Sequence, residues 1–195
     1  MLYYQIDKEL NWYSTSSAIE YVESYKEKRF SVLPQEFINT KVLNLLNSLG
    51  INIEGLKAYF FVVPPKYTGL IHIDSVEENH ALWALNWAWG SSSHAVEWFN
   101  VTGNTRDELT GFGENLPYKS YVESNRELID SVMIKETKPT LLKPGIPHRI
   151  TNFSNSIRWS VSIRDINFSI NTKYPWSLLQ QKLEENNNEC NFIHH

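Results

Sequence analysis

Leu70-Ile71-His72-Ile73-Asp74 is the stretch that most restricts how this chain folds. It reads as a short β-strand, and side chains on a strand alternate between faces. Ile71 and Ile73 form an ordinary buried face. Leu70, His72 and Asp74 share the other. An imidazole and a carboxylate therefore stand side by side, with Cα atoms roughly 6.5 Å apart. Both can turn toward one point above the strand end. Two ligands hold a divalent metal poorly, so a metal reading requires a third from elsewhere.

His148 supplies it. In Lys143-Pro144-Gly145-Ile146-Pro147-His148, a turn rich in Pro and Gly delivers the histidine to the start of another strand. Two neutral imidazoles and one carboxylate on one side of a metal leave open positions opposite. That suits non-haem Fe(II) binding both a co-substrate and O₂. Ten residues on, in Ile157-Arg158-Trp159-Ser160-Val161-Ser162, alternation places Arg158 and Ser160 on one face. A guanidinium beside a hydroxyl can hold a carboxylate by charge-assisted hydrogen bonds.

His72-x-Asp74, a distal His148 and Arg158-x-Ser160 together resemble the signature of the Fe(II)- and 2-oxoglutarate-dependent oxygenases, over roughly residues 56–166. The resemblance implies a mainly β fold, the double-stranded β-helix or jelly roll, with the N-terminal helices packed on one sheet. It implies that His72, Asp74 and His148 hold iron and that Arg158 and Ser160 bind the distal carboxylate of 2-oxoglutarate. Related halogenases have a small residue where Asp74 stands, so Asp74 points to hydroxylation or desaturation. Leu85-Asn86-Trp87 looks a little like aspartyl/asparaginyl hydroxylase-type members, a match too short to carry a substrate over. Two rivals remain. A cupin-type metal enzyme without 2-oxoglutarate, an isomerase or dioxygenase, would leave the Arg-x-Ser spacing unexplained. A non-enzymatic jelly-roll binding module would bind no Fe(II).

With 195 residues, one domain is expected. Residues 1–55 read as helical support, 56–166 as the jelly-roll core, and 167–195 as a tail. A net charge of −4 implies no strongly basic face for nucleic acid. The start lacks a secretory pattern, and no apolar run is long enough to span a bilayer. Cys190 is the single cysteine, so a reducing interior and a cytoplasmic location are expected. The expected substrate is a small polar molecule or an amino-acid or peptide side chain. Oligomeric state is not readable.

Along the chain, Ser17 and Glu20 read as a capping box opening a helix to about Arg29. A second helix is expected from Pro34, ending at Gly50. Residues 56–63 form a strand in which Tyr59 or Phe61 reaches the cofactor pocket in the resembled family, although a core strand is the plainer account. Residues 81–89 form a strand with Asn86 among apolar neighbours. Its amide serves either 2-oxoglutarate, a metal-bound water, or a neighbouring backbone group. His80 and His94 read as surface or hydrogen-bonded residues. Residues 102–131 look least regular and are expected to act as a lid-like insertion over the iron. Residues 148–152 and 157–166 are expected to pair as a hairpin. Arg164 lies on Arg158's face but roughly 20 Å along. It reads as sitting at the barrel mouth or, as the plainer account, in a surface ion pair. A short C-terminal helix is expected over residues 174–185.

Overall fold

The computed structural model describes residues 1–24, 30–51, 53–74, 83–109, 117–165 and 176–191. In order, the elements are β1 (Tyr3–Gln5), α1 (Ser16–Ser24), β2 (Phe30–Leu33), α2 (Thr40–Ser48), β3 (Leu56–Val63), β4 (Tyr67–Thr68), β5 (His72–Ile73), β6 (Ala84–Trp89), β7 (His94–Leu109), β8 (Pro117–Val132), β9 (Thr140–Leu142), β10 (His148–Asn152), β11 (Arg158–Asp165) and α3 (Trp176–Asn191). Two antiparallel sheets face one another. One runs β1-β9-β6-β11-β3-β2 and the other β4-β10-β5-β8-β7, with β10 also paired to β7. This is the expected jelly roll.

The first sheet is two-faced because its strands alternate. Trp87 and Leu85 of β6, Val161 and Ile163 of β11, and Phe60 of β3 pack outward with Ala18, Val22, Val42, Leu46, Leu179 and Leu183 of the three helices. The Trp87 indole N–H, fully buried, donates to the Leu10 carbonyl at 2.6 Å. The other face looks across to the second sheet. It carries Arg158, Ser160, Ser162 and Arg164 of β11, with Tyr59 of β3 and Asn86 of β6 opposite Ser162.

Several expectations change here. The first helix begins at Ser16, so Ser17 lies inside its first turn; its hydroxyl meets that of Thr15 at 2.6 Å rather than serving as the cap. Residues 25–29 of that expected helix lie outside the described residues. Pro34 opens only a 3-10 turn over Gln35–Phe37. The following helix is capped by Asn39, whose side chain accepts from the Lys41 amide, and Gly50 follows it at φ +80°. Asn39 also donates to the Tyr13 carbonyl at 3.2 Å, which ties the cap to the N-terminal segment.

The stretch 102–131 is not an irregular connection. It belongs to β7 and β8, two 16-residue strands paired as a ribbon with register shifts at Trp98/Phe99 and Thr102/Asn104. Gly103 takes φ +149° at the second shift. Its charges and glycines hid the strands, because residues 102–107 and 125–129 are exposed and show no apolar face. Residues 110–116 of that range lie outside the described residues, and its expected lid role has no further bearing here.

The expected hairpin between residues 148–152 and 157–166 does not form. β10 and β11 belong to opposite sheets. Residues 153–157 arch between them because Asn152 captures the arch. Its amide nitrogen reaches the carbonyls of Ser156, Pro64 and Val63 at 2.8, 2.9 and 3.2 Å. Its oxygen accepts from the hydroxyls of Ser91 and Ser154 at 2.8 and 2.9 Å. Gly90, at φ +81°, admits the arch: a Cβ there would lie 2.6 Å from the Ile157 carbonyl oxygen. The C-terminal helix runs over Trp176–Asn191, past the expected end at 185, and residues 174–175 of the expected span lie outside the described residues.

Candidate metal centre

β5 and β10 are neighbours, and His72 stands directly opposite His148 in their register. Cross-strand partners share a face, so the two imidazoles meet with centroids 4.5 Å apart. Asp74, two residues past His72, returns to that face. Its backbone N–H donates to the Pro144 carbonyl at 3.0 Å, which ties it to the turn that delivers His148. Asp74 Oδ1 lies 3.3 Å from His72 Nε2 and 3.9 Å from His148 Nε2. One ligand atom from each of the three residues lies within 4.8 Å of the others.

The imidazoles are oriented alike. His72 Nδ1 lies 3.0 Å from the Leu70 carbonyl and His148 Nδ1 lies 3.0 Å from the Ile146 carbonyl. Each histidine thus sets Nδ1 against the carbonyl of the residue two places before it and turns Nε2 inward. This is the outer-shell arrangement that fixes metal-binding histidines. Nitrogen and oxygen ligands sit about 2.0–2.2 Å from a divalent ion. Adjacent ligands of an octahedral ion are then separated by about 3 Å. The observed spacings of 3.3 and 3.9 Å are wider than this, so the three donors would draw together around an ion.

Electrostatics keep Asp74 and His148 ready to bind a metal and leave His72 with a proton to give up. Burial alone would raise the Asp74 pKa, but the Arg164 charge, the His72 hydrogen bond and both histidines outweigh it and hold the carboxyl well below the usual carboxylate range. Burial, then repulsion from His72, pushes the His148 imidazole down to about 4. For His72, burial pulls downward, but the hydrogen bond and charge of Asp74 prevail and the net shift is upward. Tyr118 of β8 packs edge-on against the His72 ring at 5.8 Å.

The proposed carboxylate anchor comes from the opposite sheet. Arg158 is 1% exposed. Its Nη1 donates to the Ser160 hydroxyl at 3.0 Å, and its Nε has no hydrogen-bond partner. Among the described residues no acid pairs with it, and burial alone lowers its pKa to about 10. Arg158, Ser160, Ser162 and Arg164 share the inward face of β11, and Arg164 reaches Asp74. The anchor and the metal ligands therefore face the same interior.

The remaining sequence candidates fall in different places. Asn86 is buried and donates to the Ala84 carbonyl at 2.8 Å, the backbone alternative. Tyr59 is fully buried and stands beside Ser162 on the interior face. His94 is buried and hydrogen-bonded, with Nε2 3.0 Å from the Ile134 carbonyl. His80 lies outside the described residues. Arg149 turns away from the centre and pairs with Glu97 at 2.7 Å. For Arg164 an ion pair was expected, but not one with Asp74. Its ion pair is with Asp74, at 2.6 Å, and not on the surface. Strand spacing from Arg158 said only that the two arginines are far apart. It said nothing of which end of β11 abuts the end of β5.

No family model matches the chain, and no curated protein matches its sequence. Solved structures match the fold. A Pseudomonas putida prolyl-4-hydroxylase is 8% identical, with a TM-score of 0.43, over 83% of this chain and 90% of that one. Peruvianin-I, a cysteine peptidase from Thevetia peruviana latex, is 11% identical at a TM-score of 0.33 over 70% of this chain, which spans 60% of that protein. An oxalate oxidase in complex with glycolate is 10% identical at 0.35, over 80% and 70%. Among the described residues no helix is long and apolar enough to cross a membrane.

Proposed function

We propose that this chain is an Fe(II)- and 2-oxoglutarate-dependent oxygenase that hydroxylates a small polar molecule or an amino-acid or peptide side chain. One observation carries the reading. The barrel interior holds a two-histidine, one-carboxylate cluster and, on the facing sheet, a buried arginine with no acidic partner among the described residues. The cluster leaves open positions on a metal, and the arginine calls for an anion. A dicarboxylic 2-oxo acid answers both.

His72 and His148 would give Nε2 to the ion, and Asp74 would give Oδ1. Bound there with 2-oxoglutarate, iron supplies O₂ activation, the co-substrate leaving as succinate and CO₂. The Nδ1 bonds to Leu70 and Ile146 keep both rings in the ligating orientation. Arg158 and Ser160 would take the distal carboxylate through the unspent Nε–H and the hydroxyl. The apolar packing around them strengthens that ion pair by excluding water. Sealed as it is, Arg158 admits a ligand only when neighbouring side chains part.

Succinate release tests the reading. The chain is incubated with Fe(II), ascorbate and 2-oxoglutarate across amino acids, peptides and small polar molecules. Substrate-dependent succinate supports it. Fe(II) binding without succinate points to a cupin-type enzyme that needs no 2-oxo acid. Absence of Fe(II) binding points to a binding module.

A further inference from the structure

The two oxygens of Asp74 have different neighbours. Oδ1 faces the imidazoles, 3.3 Å from His72 Nε2 and 3.9 Å from His148 Nε2. Oδ2 accepts from Arg164 Nη1 at 2.6 Å. The guanidinium is itself braced: its Nε donates to the buried Ser162 hydroxyl at 3.1 Å, and its Cζ lies 5.8 Å from the centre of the Phe61 ring. Ser162 and Arg164 lie on β11 and Asp74 follows β5, so this brace crosses from one sheet to the other.

We propose that Arg164 is a positioning residue that makes Asp74 a one-oxygen ligand and thereby keeps an extra coordination position of the bound metal open. The inference rests on the metal-centre reading and deepens it. A carboxylate with both oxygens free can chelate one ion through both. A short, charge-assisted bond to Oδ2 makes that oxygen costly to recruit. Three single-atom protein ligands leave three positions on an octahedral ion, whereas a chelating Asp74 leaves two. A two-atom chelator and one further small ligand need all three. The brace also stops the carboxylate from rotating, because Arg164 is held on a second side by Ser162.

Mn(II) reads this without turnover. The full chain, wild type and variants, is loaded with Mn(II) in the absence of O₂. Free Mn(II) is measured by electron paramagnetic resonance, and water-proton relaxivity is expressed per bound ion. Arg164→Ala is expected to lower that relaxivity by roughly a third, as three open positions become two. Ser162→Ala, a gentler change that leaves the guanidinium in place but unbraced, is expected to shift it the same way by less. Arg164→Lys, which retains a donating cation, is expected to return toward wild type. Equal relaxivity in the wild type, Arg164→Ala and Ser162→Ala overturns the role of Arg164 while leaving the metal centre standing. A wild-type chain that binds no Mn(II) overturns the centre and this inference with it. If Arg164→Ala does not fold, Ser162→Ala and Arg164→Lys decide the matter.

Discussion

Arg158 donates to Ser160 at 3.0 Å and to nothing else among the described residues, although it is almost wholly buried. A buried cation without a counter-charge costs folding free energy unless a ligand completes it. The cost falls on the ligand-free protein, and the gain appears on binding.

Arg158→Met therefore separates stability from function. Replacing an unpaired buried charge with an apolar side chain of similar length is expected to leave stability unchanged or to raise it by about 1–4 kcal/mol. The same change is expected to raise the KM for 2-oxoglutarate at least about 30-fold, the equivalent of losing about 2 kcal/mol of a desolvated ion pair. Metal affinity is expected to stay put. Denaturant titration, steady-state kinetics and an Fe(II) titration report the three quantities, and an unchanged KM removes Arg158 from the site. Because Arg158 is sealed, 2-oxoglutarate is also expected to bind well below the usual encounter rate, as binding coupled to an opening step does. Stopped-flow mixing measures that rate.

Asn152 is fully buried and binds the arch that carries the chain from β10 in one sheet to β11 in the other. Asn152→Ala removes its bonds to three carbonyls, two hydroxyls and the Ser154 amide at once, while the Ser91 and Ser154 hydroxyls keep each other and the Ser93 and Ser156 carbonyls. A buried polar group left unpaired costs about 1–3 kcal/mol, with part of the loss recovered by relaxation and water. The expected destabilisation is about 3 kcal/mol or more, read as a lower denaturation midpoint. A loss below about 1 kcal/mol would show that the arch is held by the strands alone.

What was legible in the sequence was local. Aromatic and β-branched content in residues 56–63, alternation in residues 81–89 and the turn before His148 set strands where β3, β6 and β10 are found. His72 and Asp74 share a face because two residues is the strand period. Pairing between distant strands left less trace. Nothing in residues 148–166 distinguishes a hairpin from an arch except Asn152, whose side chain looks like any turn asparagine until its partners at Val63 and Pro64 come into view. The ribbon beyond residue 101 was missed because alternation needs a buried face, and residues such as Thr102, Asn104, Arg106, Asn125 and Arg126 are exposed. Arg164 was misplaced for the same reason: its partner is 90 residues away.

The ribbon nevertheless touches the centre. Tyr118 packs edge-on against His72, 5.8 Å between ring centres. Aromatic contacts of this kind contribute about 0.5–1.5 kcal/mol beyond area. Tyr118→Ala is expected to weaken metal binding by about 2- to 12-fold by loosening the His72 ring. Titration with Co(II) measures it. An affinity equal to wild type would confine Tyr118 to packing.

Metal affinity should depend on pH through His72 first. The metal needs Nε2 free of a proton. His148 is already neutral down to about pH 4, because burial and the His72 ring disfavour its cation. His72 is the reverse case: burial opposes its cation, but Asp74 stabilises it more, so it keeps its proton above the ordinary 6.5. Below that raised value each bound metal must displace one proton from His72, and the dissociation constant should rise up to about tenfold for each unit of pH lost. Near pH 4 His148 begins to protonate as well, and the dependence should approach two protons. Asp74 adds nothing in this window, since its carboxyl is held well below the usual range. Co(II) titrations from pH 8 to pH 5 are expected to show weakening on the acid side with a slope near one, and proton release on metal binding in a weakly buffered solution should match that slope. A flat affinity across this range, with no proton released, would mean that His72 is not a ligand.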